Sequence, residues 1–284
     1  MQETDFLKHL DRLRLVIQKK VASNYIGERE SPFLGQGTMF RDHRIYAAGD
    51  DIKRIDWKVY ARTDKMHVKQ YEEDKSLTAH IIIDYSASMN FGQQMKKYEY
   101  AVMLGVGIAY VAWKNNDSFV LSTFADKLER FKPKQGRRQI VEILDYLKNK
   151  KPQGQSAFRN SLAQYAKSID RKSMIVVISD FLYDLDEITE VVLRFKDNEV
   201  VLVQVLDSME TELKLRGEFN LKDAETNQLM KTFISDKTRE KYLEKLADHK
   251  KRIDWLAKST GSRFYSFATD EPIFDSLYRI LRAA

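Results

Sequence analysis

The sequence predicts an α/β fold, a mainly parallel sheet with helices on both faces, and three observations predict it. Apolar runs at residues 81–83, 174–179 and 200–206 are almost uninterrupted, as strands covered on both faces require. Segments with helical spacing of apolar residues separate them, giving the strand–helix alternation of parallel connections. The chain has 284 residues, 43% of them hydrophobic, which is enough for one large or two modest packed domains.

From the N-terminus, Leu7, Leu10, Leu13 and Ile17 recur at roughly helical intervals, so residues 6–21 should form an amphipathic helix. Residues 24–41 lose that periodicity at Ser31-Pro32 and Gly35-Gln36-Gly37 and read as a loop. Gly35 and Gly37 lack the preceding strand and third glycine of a dinucleotide fingerprint, which argues against a nucleotide site. Asp50 or Asp51 is placed to cap a short helix whose Ile52, Ile55 and Val59 share a face, with Trp57 expected as a buried anchor.

Strand–helix units follow: strand 81–83, helix 98–113, strand 119–124, helices 137–147 and 156–168, strand 174–179, helix 187–195 and strand 200–206. Gly105 and Gly107 weaken a helix unless something packs closely against them, so they predict tight helix-to-sheet contact. After Asp207 the rhythm breaks. Residues 214–221 and 229–234 can pair as a hairpin across the polar stretch 223–228. Ser235 or Asp236 then caps a charged helix carrying Tyr242, Leu246, Ile253 and Leu256 and stopped near Gly261. Strand 264–267 and helix 273–281 finish the chain. The expected division is an N-terminal block at 1–75 and an α/β domain at 76–284 with the hairpin inserted near 207–234.

The chain has no cysteine, which excludes a disulfide framework, a thiolate metal site and a cysteine nucleophile and suits a reducing compartment. Met1-Gln2-Glu3-Thr4-Asp5 lacks the basic-then-apolar pattern of a signal peptide, and no apolar stretch approaches the roughly 20 residues of a membrane span. The expectation is a soluble cytoplasmic protein. Net charge is +6, with acids and bases interleaved. The densest basic stretch comprises Lys127, Arg130, Lys132, Lys134, Arg137 and Arg138. Nucleic-acid binding there is an alternative reading, but without an aromatic platform or a recognised motif a solvated loop and helix start is preferred.

The chemistry gathers at Asp84-Tyr85-Ser86-Ala87-Ser88, which follows the apolar run ending at Ile83. An acid and two hydroxyls at a strand tip are compact, hard oxygen donors suited to Mg²⁺, and strand tips are where open α/β sheets bind ligands. The spacing Asp84-x-Ser86-x-Ser88 resembles the metal-ion-dependent adhesion site of von Willebrand factor type A domains.

The flanking residues extend the likeness. Phe40-Arg41-x-x-Arg44-x-Tyr46-x-x-Gly49-Asp50-Asp51-x-x-Arg54-Ile55-Asp56-Trp57-x-x-x-Ala61-Arg62 and Val68-Lys69-Gln70-Tyr71 precede the Asp84 element. In that order they resemble the bacterial DUF58 family, in which such a block precedes a von Willebrand A-like (Rossmann-like) domain. The resemblance implies that a hydroxyl from a second loop and an acid from a third join the site, and Ser156 and Asp180 stand where these are expected. It implies Ser86, Ser88 and Ser156 as direct ligands of Mg²⁺, or Mn²⁺, with Asp84 and Asp180 holding coordinated waters. Ser156 stands where the family pattern has threonine and lacks the methyl that helps fix the rotamer. Asp180 also reads as a turn or helix cap, and a loop that keeps the geometry without metal is the alternative. The implied function is non-catalytic protein binding, with a MoxR-type AAA+ ATPase or its client as partner in chaperone-like maturation.

Other chemistries find little support. His9, His43, His67, His80 and His249 are too scattered for a metal or triad arrangement. A phosphoryl-transfer enzyme using Asp84 is a further alternative, but a haloacid-dehalogenase-type site needs a second acid two positions on, where Ser86 stands. Asp50, Asp51, Arg54, Asp56 and Arg62 are expected as a salt-bridged scaffold rather than a ligand surface, since the same segment carries Ile52, Ile55 and Trp57 as packing anchors, and no nucleophile with its base occurs there.

Overall fold

The computed structural model describes residues 40–282 except 48–49, 51–54, 72–77, 93, 132–136, 214 and 223–227. The expected helix at 6–21, Gly35-Gln36-Gly37 and most of the polar turn at 223–228 lie outside the described residues.

The N-terminal block departs from the helix-and-loop expectation. Strands β1 (Phe40–Ile45) and β2 (His67–Tyr71) pair antiparallel, with helix α1 (Trp57–Thr63) between them. The described helix begins at Trp57 with Asp56 accepting from Lys58 N and Val59 N, and Ile55, expected on its face, is held instead in a β-bridge with Val68; Asp51 and Ile52 lie outside the described residues. Asp50 instead closes a local turn by accepting from Ala47 N. Trp57 is 56% exposed and packs edge-on against Tyr60, whereas Ile55 and Val68 are 6% and 4% exposed. The expected tryptophan anchor is therefore a solvent-facing helix residue, and the buried pair comes from the bridge.

The remaining strands and α-helices follow the expected order, apart from two short ones, and a 3-10 turn at Ala87–Asn90 after the first of these strands carries Ser88. They are β3 (Thr78–Asp84), α2 (Lys97–Lys114), β4 (Ser118–Phe124), β5 (Leu128–Arg130), α3 (Arg137–Asn149), α4 (Phe158–Ala166), β6 (Met174–Ser179), α5 (Leu185–Arg194), β7 (Glu199–Leu206) and α6 (Ser208–Glu212). The hairpin β8 (Gly217–Lys222) and β9 (Leu229–Ile234), then α7 (Asp236–Ser259), β10 (Arg263–Ala268) and α8 (Ile273–Arg282), complete the chain. The short β5 and α6 were not foreseen.

Six strands form the main sheet in the order β10-β7-β6-β3-β4-β5, all parallel except the antiparallel edge strand β5. Successive strand residues alternate between two cores. Ile81, Ile83, Val176, Ile178, Val201 and Val203 face the layer of α2, α3 and α8. Ile82, Ile175, Val177, Val200 and Leu202 face α4, α5 and α7. Two covered faces explain the unbroken apolar runs, each fully buried Val, Ile or Leu side chain contributing about 1.5–3 kcal/mol. Gly105 meets the expectation of close packing, since a Cβ there would lie 2.7 Å from Ile83 Cδ1. Strand order runs outward from β3 in one direction and from β6 in the other, so the crevice between their C-terminal ends is the switch point where doubly wound sheets bind ligands.

Candidate functional site

Asp84 ends β3 at that crevice and is fully buried. Its Oδ1 accepts from Ser86 N at 2.9 Å and from Ser86 Oγ at 2.6 Å; its Oδ2 accepts from Ser179 Oγ at 2.7 Å and from Tyr183 OH at 2.5 Å. Ser86 Oγ is 3.1 Å from Ser88 Oγ, and Ser156 Oγ is 2.6 Å from Tyr183 OH. Each hydroxyl has one proton. Because Ser86 and Tyr183 spend theirs on Asp84, Ser88 and Ser156 donate to them, and the protons of the cluster all run toward one carboxylate.

Backbone contacts bring the second loop to the first. Tyr85 O accepts from Gln153 N at 3.1 Å, Ala87 N donates to Gly154 O at 3.0 Å, and Ala157 N donates to Ala125 O at 2.8 Å. Gly154 sits at φ +85°, a left-handed conformation that favours glycine, and the turn it permits leads into Ser156. Asp84, Ser86, Ser88 and Ser156 thus meet in one hydrogen-bonded cluster through Tyr183.

Asp180 follows β6 beside the cluster, but its side chain turns elsewhere. Its Oδ2 accepts from Lys97 Nζ at 2.9 Å, and the same ammonium donates to Glu210 Oε1 at 2.9 Å. Lys97 is 1% exposed and sits in the first turn of α2. The next residue, Phe181, is buried at φ +49°, an uncommon conformation for a bulky side chain, and its carbonyl accepts from His249 Nε2 at 2.7 Å.

The electrostatics follow from this burial. Desolvation, together with the nearby negative charge of Asp180, holds the Asp84 carboxyl above its ordinary range against the opposing hydrogen bonds from Ser86 and Tyr183. Burial and the Asp84 charge push the Tyr183 phenol well up. Burial disfavours charge on Lys97, yet the carboxylates of Asp180 and Glu210 outweigh it and raise its pKa.

Lys97, Ser179, Tyr183 and Glu210 are the site residues that sequence reasoning missed. Lys97 carries the one local signal: a lysine opening a helix opposes the helix dipole, which asks for nearby acids. Tyr183, 99 residues from Asp84, carries none.

The donor set suits a small hard divalent ion. Adjacent ligands of an octahedral Mg²⁺ stand about 2.9 Å apart, and the Ser86–Ser88 separation of 3.1 Å is close to that spacing. Among the described residues no group of three or more His, Cys, Asp or Glu side chains could hold a metal, so a cation here relies on hydroxyls. Elsewhere, Arg130 of the basic stretch lies on β5 with its guanidinium 5.0 Å from the Tyr165 ring centre; Lys132 and Lys134 lie outside the described residues. No helix among the described residues is long and apolar enough to cross a membrane.

A family model described as "Protein of unknown function DUF58" matches residues 42–252. The uncharacterized protein Rv1480 of Mycobacterium tuberculosis is 27% identical over 278 residues, covering 96% of this chain and 87% of that protein. Mb1516 of Mycobacterium bovis matches with the same figures. Among solved structures, an aerotolerance-related membrane protein from Bacteroides fragilis is similar with a TM-score of 0.47 at 14% identity, covering 73% of this chain and 100% of that one. A von Willebrand factor type A protein from Catenulispora acidiphila gives a TM-score of 0.43 at 9% identity, covering 77% of this chain and 43% of that one.

Proposed function

This chain belongs to the DUF58 family, and from that premise we propose that it is a non-catalytic, divalent-cation-dependent protein-binding module. It works in the cytoplasm with a MoxR-type AAA+ ATPase or its client, in chaperone-like maturation of other proteins. The observation that carries the reading is the hydrogen-bonded cluster of Asp84, Ser86, Ser88 and Ser156 at the switch-point crevice. The hydroxyls of Ser86, Ser88 and Ser156 would hold Mg²⁺ or Mn²⁺, with Asp84 as the acid of the site. Bound there, the ion supplies an electrophilic position for a carboxylate of the partner.

The residues themselves favour binding over turnover. Asp84 is buried and each of its oxygens already accepts two hydrogen bonds, which leaves no free lone pair for attack on a phosphoryl group. The hydroxyls of Ser86 and Tyr183 donate to that carboxylate, which accepts two bonds on each oxygen, an arrangement that fixes the loop.

Calorimetry with Mn²⁺ on the wild type and Asp84→Asn tests the reading. Asparagine keeps its carbonyl oxygen as acceptor for Ser86 and turns its amide toward Ser179 and Tyr183, whose hydroxyls can rotate to accept, and a melting curve of the variant separates loss of the site from unfolding. Wild type should bind Mg²⁺ and Mn²⁺ without preference for Zn²⁺, and equal binding by the two proteins would remove the assignment. A pull-down of the MoxR-type ATPase should weaken on addition of EDTA.

A further inference from the structure

Lys97 is a buried cation with no part in the hydroxyl cluster, yet it stands beside it. Its ammonium joins three loops of the C-terminal sheet edge: it opens α2, contacts Asp180 after β6, and contacts Glu210 on α6 after β7. Glu210 is fixed in turn, since its Oε2 accepts from Asp207 N at 2.8 Å. Stability does not explain the lysine. A buried ion pair returns little net energy over an apolar replacement, and a positive charge at a helix N-terminus opposes the dipole. What the arrangement does accomplish is specific: it occupies Asp180 Oδ2 and neutralises that carboxylate beside Asp84.

We propose that Lys97 is a built-in cation that holds Asp180 out of the divalent-ion site and thereby sets its affinity. The inference rests on the cation-binding reading above. With Asp180 Oδ2 tied to Lys97, Asp84 is the acid of the set left to the ion, and the ammonium offsets part of the charge that Asp180 would otherwise lend the site. Affinity for hard divalent ions rises with the number of charged ligands, so the lysine keeps the site weak and the ion short of anionic ligands. A carboxylate from a partner then has more to gain by joining. Lys97 is on this account a positioning residue acting through Asp180.

Mn²⁺ titrations, followed by calorimetry and by the EPR signal of the free ion, test it on the full chain. Lys97→Met should bind Mn²⁺ about tenfold or more tightly, and Lys97→Met/Asp180→Asn should return to the wild-type affinity. Asp180→Asn alone should change the affinity less than about twofold, because the carboxylate it replaces is already committed to Lys97. Lys97→Met with wild-type affinity overturns the inference, and so does a large loss of binding in Asp180→Asn, which keeps a partner for Lys97 in Glu210. Should Lys97→Met fail to fold, Asp180→Asn decides. If wild type fails to bind and Lys97→Met binds, the lysine's role stands while the cation-binding reading of the native chain falls. If neither binds, both fall.

Discussion

Tyr183 donates to Asp84 Oδ2 at 2.5 Å while accepting from Ser156, so one phenol joins the acid of the first loop to the hydroxyl of the second. Tyr183→Phe deletes that link without changing the packing volume. It should destabilise the protein by about 1–3 kcal/mol at neutral pH, the cost of a lost hydrogen bond to a buried charged group. The bond favours the ionised form of Asp84, so the penalty should shrink as pH falls through that group's raised titration range. Chemical denaturation of both proteins at two pH values checks this; a penalty that grows with acid would sink it.

The parts of the site lying within a few residues of each other were legible in the sequence. Asp84, Ser86 and Ser88 follow an apolar strand, and their mutual hydrogen bonds are set by local backbone. Asp180 was placed correctly at a strand end, but its partner Lys97 is 83 residues away and no spacing announces it. The interior strands were legible because both their faces are apolar. β1, β2 and β5 were not, since Arg, Asp, His, Lys, Gln and Glu break any period-two pattern in them. The tryptophan anchor failed for a related reason: hydrophobicity alone does not tell which face of a short helix meets a neighbour.

That correction yields a test. Trp57→Ala should cost less than about 1 kcal/mol, because surface substitutions rarely cost more. Ile55→Ala removes a buried side chain from the bridge with Val68 and should cost about 2–5 kcal/mol. Melting temperatures of the two variants should fall in that order, and a Trp57→Ala protein less stable than Ile55→Ala would return the anchor to the tryptophan.

His80 gives the fold a titration of its own. It is buried on β3, 2.9 Å from Tyr165 OH through Nδ1, and burial together with Arg130 pulls its pKa from 6.5 to about 4. The native state therefore refuses a proton that the unfolded chain accepts. Its stabilising contribution is complete above pH 6.5 and is lost as pH falls toward 4. The loss should reach roughly 2–3 kcal/mol by pH 4.5. His80→Asn keeps an acceptor for Tyr165 and should remove that component of the acid sensitivity; identical pH profiles for variant and wild type would contradict the assignment.

Ser86→Ala separates the proposed ligand role from the fold. Ser86 Oγ is buried and donates to Asp84 Oδ1 at 2.6 Å, so its loss should cost about 1.5–3 kcal/mol as a hydrogen bond to a charged group. Asp84 Oδ1 still accepts from Ser86 N, which keeps the loop in place. The variant should therefore fold, melt a few degrees below wild type, bind Mn²⁺ more weakly and hold less of the MoxR-type ATPase in a pull-down. EDTA added to wild type should reproduce the loss of partner without altering its sequence. A complex that survives both treatments would move the contact away from the switch-point crevice, to the β1–β2 block or the β8–β9 hairpin. There Leu229 and Phe233 stand 73% and 62% exposed on β9.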